Sequence, residues 1–440
     1  MFQNAITKLK KTISYSGDEV ATTATSVPPP PPPAPTQNKT IPPPGANGAP
    51  IPPPPMTKKW WHFKSVAPTV EEKPEWKFDF LNCTTKQTLY DINWQRMEGV
   101  QRSAEGSGGC YFTQLGTKPT HTRNMISRQI MDIWRKAPPQ TPADENKVHK
   151  PEAVVIKGGM DAVQETIGTL LAKRLGVRAS DFRIIPTKSR EGQLVMRMFK
   201  KFNPQAAIDI KKFKHFTIQQ YLIGCPILGG DGKDAATSIN KEQKLLHQLF
   251  DREGPCKDLG KIAAYDMIIN MWDRMPTIWD NDGNIGNLYV HNKKPYAIDN
   301  IAGAILVEDK SNEHQLKIEQ VIATSVKNDA NGIIQGDDFC ESIRKFFDNN
   351  LSSYGYEISD DCLGYVRKGF LEAIEEWSED ESHFEQVLDV VWKDINEMLN
   401  KGTWDEEDSL DNYSTKKEFF LNNYYAMRRS FNNAKIKASN

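Results

Sequence analysis

The sequence predicts an α+β chain in two lobes, strand-rich first and mainly helical second, behind a disordered proline-rich N-terminal arm. Three observations predict it. Val27 to Met56 carries 15 prolines, which remove backbone donors and favour extended polyproline II over a packed fold. Short apolar runs such as "EAVVIK" and "FRIIPT" then recur around one strong helix pattern, "MDAVQETIGTLLAKRLG". From "NKEQKLLHQLFDREG" onward, apolar residues return at three- and four-residue intervals. Strands first and helices second is the order of a two-lobed enzyme with a cleft between its lobes.

Composition narrows the class. A chain of 440 residues can bury a large core, and 56 Lys and Arg against 57 Asp and Glu give no broadly basic surface, so no nucleic-acid partner is expected. The six cysteines, Cys83, Cys110, Cys225, Cys256, Cys340 and Cys362, show no CxxC spacing, which points to reduced thiols rather than a disulfide framework or structural zinc. "MFQNAITKLKKTISYSGDEV" lacks an apolar signal region, and no later run reaches the length of a membrane span. A soluble cytoplasmic protein without stable membrane insertion is expected.

In chain order, residues 1–56 form the proline-rich arm, read equally as a spacer or as a ligand for an aromatic-lined groove of the SH3 or EVH1 type. Residues 57–90 begin with "TKKWWHFKSV", an aromatic and basic strap leading into the ordered region. The first lobe, residues 91–224, opens with two extended segments, "LYDINWQRMEGV" and "CYFTQL", as a hairpin around "RSAEGSGG". "RNMISRQIMDIWRKA" has helical spacing and "APPQTPADENKVHKP" reads as a surface loop. "EAVVIKGG" is a buried strand, "MDAVQETIGTLLAKRLG" a helix ended by Gly176, and "FRIIPT", "GQLVMRMFK" and "HFTIQQYLIG" are read as further strands. Residues 225–400 form the helical lobe, and residues 401–440 an acidic linker followed by a basic-aromatic segment, read as a helix packed on the domain or as a partner-binding tail.

Candidate chemistry begins at Lys157, at the end of "AVVIK", where a buried strand must send an ammonium to solvent, an acid or a bound anion. Glu165, on the following helix, is placed to pair with it and hold it on the phosphates of a nucleotide. Gly106, Gly108 and Gly109 allow close backbone approach to polyphosphate, and also suit an ordinary hairpin. Asp273 emerges from "CKDLGKIAAYDMIINMW" in position to orient an acceptor hydroxyl and take its proton. Asn287 precedes one short strand and Asp299 ends another, offering oxygens to a hard cation. Asp280 and Asp282 sit in "DNDGN", which lacks the spacing of a calcium loop and reads as a turn.

The ordered set Lys157, Glu165, Asp273, Asn287 and Asp299, with "NMWDR", "GNIGNLYV" and "YAIDN", resembles the actin-fragmin kinase catalytic family over roughly residues 75 to 400. The resemblance implies a protein-kinase-like fold and an atypical serine/threonine protein kinase using ATP with Mg2+ or Mn2+. It implies a phosphate-binding Lys157 with Glu165 as its helix partner, a catalytic Asp273, and Asn287 and Asp299 as metal ligands. "IQQYLIG" matches the hinge, where Gln220, Tyr221 and Leu222 present backbone groups to adenine. Actin is the implied substrate, phosphorylated on threonine, with a profilin-type partner for the arm and a place at the actin cytoskeleton. "MWDR" and "IDNI" stand where conventional kinases have HRD and DFG, no APE segment follows, and 14 residues separate Asp273 from Asn287. The alternatives are a lipid or small-molecule kinase of the same fold, and a nucleotide-binding pseudokinase scaffold.

Overall fold

The computed structural model describes residues 83–86, 88–103, 109–116, 151–158, 162–222, 224–226, 246–352, 355–400 and 414–439. All lie in the compact unit Glu72–Asn440; the other unit, Met1–Glu71, holds none of them. The proline-rich arm, the "TKKWWHFKSV" strap, "RNMISRQIMDIWRKA" and the loop after it, Gly106 and Gly108 therefore lie outside the described residues.

A six-stranded sheet comes first. Its strands are β1 (Thr84–Thr85), β2 (Met97–Arg102), β3 (Cys110–Leu115), β4 (Glu152–Gly158), β5 (Phe182–Pro186) and β6 (His215–Gln220), in the order β2-β3-β4-β6-β5 with β1 beside β4. The predicted hairpin is present, β2 pairing antiparallel with β3 through Arg102 opposite Tyr111. Its first half is shorter than expected, because Asn93 accepts a hydrogen bond from the Gln95 amide and starts one 3-10 turn, Trp94–Arg96, before the strand.

Helix α1 (Ala162–Arg174) follows β4, and α2 (Arg190–Phe202) and α3 (Pro204–Lys211) separate β5 from β6. The expected strand "GQLVMRMFK" is instead the body of α2. Ser189 caps it by accepting from the Gly192 amide at 3.0 Å, and the buried side chains Val195 and Phe199 recur at the four-residue interval of a helix. Glu191 in its first turn accepts from the Trp94 indole at 2.7 Å and from Arg183 of β5, tying the helix to the sheet.

The helical part holds α4 (Glu253–Ile269), α5 (Glu308–Ala330), α6 (Asp338–Leu351), α7 (Asp360–Ser378), α8 (His383–Asn400) and α9 (Ser414–Ser439). A small antiparallel sheet joins β7 (Gly224–Pro226), which precedes α4, to β8 (Leu288–His291) and β9 (Lys294–Ala297), which lie between α4 and α5 in sequence. The predicted helices after residue 300 are thus present, and the C-terminal basic-aromatic segment is a helix whose Phe420, Tyr424 and Phe431 are buried.

One apolar cluster fills the space between the sheet and α2 and α3; a larger one fills the helical part. Ile167 and Leu171 of α1 belong to the second, and the Trp377 indole of α7 donates to the Leu175 carbonyl at 3.1 Å. Helix α1 therefore lies between strands of the sheet in sequence but packs with the helices, which places its first turn where the two parts meet.

At the centre of the helical part, α4 and α7 meet backbone to backbone. A Cβ on Gly260 would sit 1.9 Å from the Val366 carbonyl oxygen, and one on Gly369 would sit 2.2 Å from that of Lys257. The same approach sets the Cys256 and Cys362 thiols 2.7 Å apart in the core; Cys83, Cys110, Cys256, Cys340 and Cys362 form no disulfide. Gly260→Ala is expected to cost about 3 kcal/mol in urea unfolding, since backbone atoms have nowhere to yield. Gly254→Ala in the same helix, with nothing within 4 Å, is the neutral control.

Candidate active site

Lys157 reaches the site because β4 is the central strand: Lys157 lies opposite Cys110 of β3 and Thr217 of β6. Strand alternation turns its ammonium to the face covered by the first turn of α1. There Glu165, 4% exposed, stands 3.4 Å from Nζ, and Asp299 Oδ1 makes a second, shorter contact with the same nitrogen. Gln219 of β6 donates its amide to the same Glu165 oxygen, Oε1, at 2.7 Å.

One ammonium thus stands between two carboxylates in a largely buried place. Burial opposes the Lys157 charge, but Glu165 and Asp299 outweigh it and hold the lysine above its usual range. For Glu165 burial dominates and lifts the carboxyl; Lys157 draws it back, and the Asp299 charge lifts it further. The cluster has one negative charge in excess, so it favours an added cation.

Asp299 arrives by a turn that the sequence hides. Asn292 and Lys293 both take positive φ, 52° and 60°, which closes β8 and β9 as a tight two-residue hairpin. Leu288 then lies opposite Ala297, and the Ile298 amide donates to the Asn287 carbonyl at 3.1 Å. The residue before β8 is therefore hydrogen-bonded to the residue just after β9, and Asp299 is next along the chain. Asp299 itself sits at φ 58°, a left-handed conformation that turns its carboxylate away from the strand direction.

Asp273 follows the end of α4, where Asn270 caps the helix in the left-handed conformation. The Asn287 amide donates to Asp273 Oδ1 at 3.3 Å, so the 14-residue separation closes in space. Burial raises the Asp273 carboxyl above its usual range; Arg274 opposes this, and the Asp299 charge adds to it. Asp280 and Asp282 point elsewhere: Lys345 of α6 stands 3.4 Å from Asp280, and Asn349 donates to Asp282 at 3.1 Å.

Arg274 is a residue that sequence reading passed over. It is fully buried, pairs with Asp266 of α4, and donates to the Ile298 carbonyl at 2.8 Å and to Asn300 Oδ1 at 2.5 Å. Asn300 in turn donates to Thr169 Oγ1 of α1 at 3.2 Å. Its carbonyl occupies the space a side chain at Gly168 would need, 2.0 Å from a Cβ there. Of these, Arg274 follows Asp273 directly and Asp266 is an acid within an apolar helix face; that last feature was the available signal.

The remaining expected positions are spread more widely. Gly109 closes the hairpin loop at φ 77°, its carbonyl accepting from the Gly158 amide beside Lys157 at 3.1 Å. Gln220 ends β6 opposite Val154, and Tyr221 and Leu222, both buried, lie between β6 and β7. They occupy the passage from the large sheet to the small one.

A family model described as "Actin-fragmin kinase, catalytic" matches residues 71–374, which include every element from β1 to most of α7. The chain belongs to the actin-fragmin kinase catalytic family. It is accordingly an ATP-dependent phosphotransferase, an atypical serine/threonine kinase of the family that acts on actin. No curated protein matches the chain. Among solved structures, the "Shewanella oneidensis MR-1 Toxin Antitoxin System HipA, HipB and its operator DNA complex" is 12% identical over 72% of each chain, with a TM-score of 0.29. No described helix is long and apolar enough to cross a membrane.

Arg274 generates two stability predictions. Arg274→Met leaves Asp266 buried without its cation and is expected to cost about 3–5 kcal/mol in urea unfolding at neutral pH. Burial pushes the Asp266 carboxyl from its ordinary 3.8 up to about 7, with Arg274 opposing and Asp273 adding to the rise. The folded state then holds more protons than the unfolded one between these values, so this group's contribution is full below pH 3.8 and is lost as pH rises through about 7. Asp266→Asn is expected to flatten that segment of the stability–pH curve.

Proposed function

We propose that the chain transfers the γ-phosphoryl group of ATP to a threonine hydroxyl of actin, with Asp273 as the residue that receives the hydroxyl proton. The observation that carries this reading is the convergence of Lys157, Glu165 and Asp299 with Asp273 and Asn287 at the junction of sheet and helices. Lys157, oriented by Glu165 and Gln219, binds phosphate oxygens of the nucleotide, with Gly109 beside them. The backbone from Gln220 to Leu222 takes the adenine end.

The donor set suits a hard divalent cation. Asp299 offers carboxylate oxygens, and Asn287, whose NH2 is engaged by Asp273, offers its amide oxygen. Mg2+ held there, or Mn2+, would neutralise charge on the phosphates; nucleotide and water oxygens complete such a shell, since magnesium seldom takes an all-protein cage.

Asp273 accepts the acceptor proton at a carboxylate oxygen, and Asn287 keeps that carboxylate turned toward the cation site. Because burial raises its carboxyl, the ionised form that accepts a proton declines at a higher pH than for an exposed aspartate. Family membership and the near-neutral surface favour actin over a membrane lipid, and a place at the cytoskeleton follows from that substrate. The proline-rich arm is suited to a profilin, SH3 or EVH1-type module.

Labelled ATP, magnesium, actin and the purified chain should yield labelled actin, with phosphosite mapping placing the label on threonine. ATP turnover without label on actin would reject the substrate. Asp273→Asn is expected to lower kcat by about 100-fold or more while nucleotide binding persists. In the unsubstituted enzyme, kcat should fall on acidification at a pH above the ordinary aspartate range, as a rate–pH profile would register.

A further inference from the structure

Helix α9 lies wholly beyond the segment matched by the family, residues 71–374, yet two of its side chains bear on the segment that carries Asp273. The first is Asn423. It is fully buried, and its Nδ2 donates to the Ile268 carbonyl at 2.9 Å. Ile268 stands in the last turn of α4, where carbonyls lose their helical partners because the chain turns left-handed at Asn270. That turn is closed from three directions: the Met271 amide meets Asp266, the Gly303 amide meets Ile269, and Asn423 meets Ile268.

The second is Phe419. Its ring stacks on His314 of α5 at 5.6 Å, and His314 stacks on Trp279 at 5.6 Å. The Trp279 indole donates to Asn270 Oδ1 at 3.1 Å, and the Asn270 amide donates to the Gly303 carbonyl at 2.8 Å. His314 is 1% exposed, and burial lowers its imidazole to about 4, so the ring is neutral near pH 7. Contacts from α9 therefore reach residue 268 on one side of Asp273 and residue 279 on the other. The helix has independent anchors: Tyr424 donates to the Trp377 carbonyl at 2.8 Å, and Ser430 to that of Glu319 at 2.7 Å.

We propose that α9 is a positioning element of the kinase site, with Asn423 and Phe419 as positioning residues that hold Asp273 in reach of the acceptor hydroxyl. The proposal rests on the reading of Asp273 given above. Neither residue touches nucleotide or acceptor; both act through the backbone of residues 268–279, and small displacements of a reacting group carry large rate penalties.

The test uses the full chain with Asn423→Ala, Phe419→Ala and the conservative Phe419→Tyr, alongside Asp273→Asn. Expected is a fall in kcat of about tenfold for each alanine variant, with KM for ATP within about twofold, and recovery in Phe419→Tyr. Amide hydrogen exchange should rise in residues 268–279 of the alanine variants and stay unchanged in β3 and β4. Full kcat in both alanine variants, with Asp273→Asn inactive, would overturn the proposal and leave the site reading standing. Loss of ATP binding in step with global unfolding would reduce α9 to a folding element and also overturn it. An active Asp273→Asn would sink the site reading itself, a result distinct from either.

Discussion

The guanidinium of Arg274 is the constraint on which the rest of the site depends. Residue 274 belongs to the segment leaving α4, while the groups it binds come from α4 itself and from the segment leaving β9. Only a planar fork with several donors can satisfy an aspartate, a backbone carbonyl and an asparagine oxygen together, and a lysine in its place would be a single point charge. With that fork in place, Asp273 and Asp299, which flank its two anchor segments, are brought to a common site. The interaction is expensive in isolation, since both ions are removed from water. Asn300 and the Ile298 carbonyl both accept from Nη2, while Nε is buried without a hydrogen-bond partner among the described residues.

A second constraint operates on the sheet side. Lys157 is held by acids from two separate elements, Glu165 of α1 and Asp299 beyond β9. Because α1 packs into the core of the helical part, the Lys157–Glu165 contact spans the junction between the two parts of the fold. The excess carboxylate in this cluster and the elevated Asp273 carboxyl share one cause: acids held away from water with too few cations to match them. A site built this way favours an added cation.

Much of this was readable from residue order. The apolar run ahead of Lys157 marked a buried strand ending in a charge, and the helix period after it placed Glu165 within reach. Asp273 stood out at the end of a long helix pattern, and Asn287 and Asp299 because each borders a short apolar strand. The strand expected at "GQLVMRMFK" failed because its apolar residues satisfy both a two-residue and a four-residue interval over so short a span; the Ser189 cap and the Glu191 contacts decide for the helix. The hairpin turn at Asn292 and Lys293 was hidden because lysine at positive φ is an unfavourable residue that only the paired strands impose.

The sequence by itself determined the α+β order, the helical character of the second half and the residue types available for chemistry, because each depends on local periodicity and on what a side chain can ionise or donate. Only the tertiary structure decided which acids meet. Asp266 pairs with Arg274, Asp299 with Lys157, while Asp282 is turned to α6, although Asp282 lies nearer to Asp273 along the chain than Asp299 does. It also decided that Asn423, some 150 residues beyond Asp273, supports the turn from which that aspartate departs. The reason is physical: hydrogen bonds and ion pairs in a core are set by where backbone carbonyls and charges are left unmatched after packing, and packing joins residues without regard to their distance in sequence.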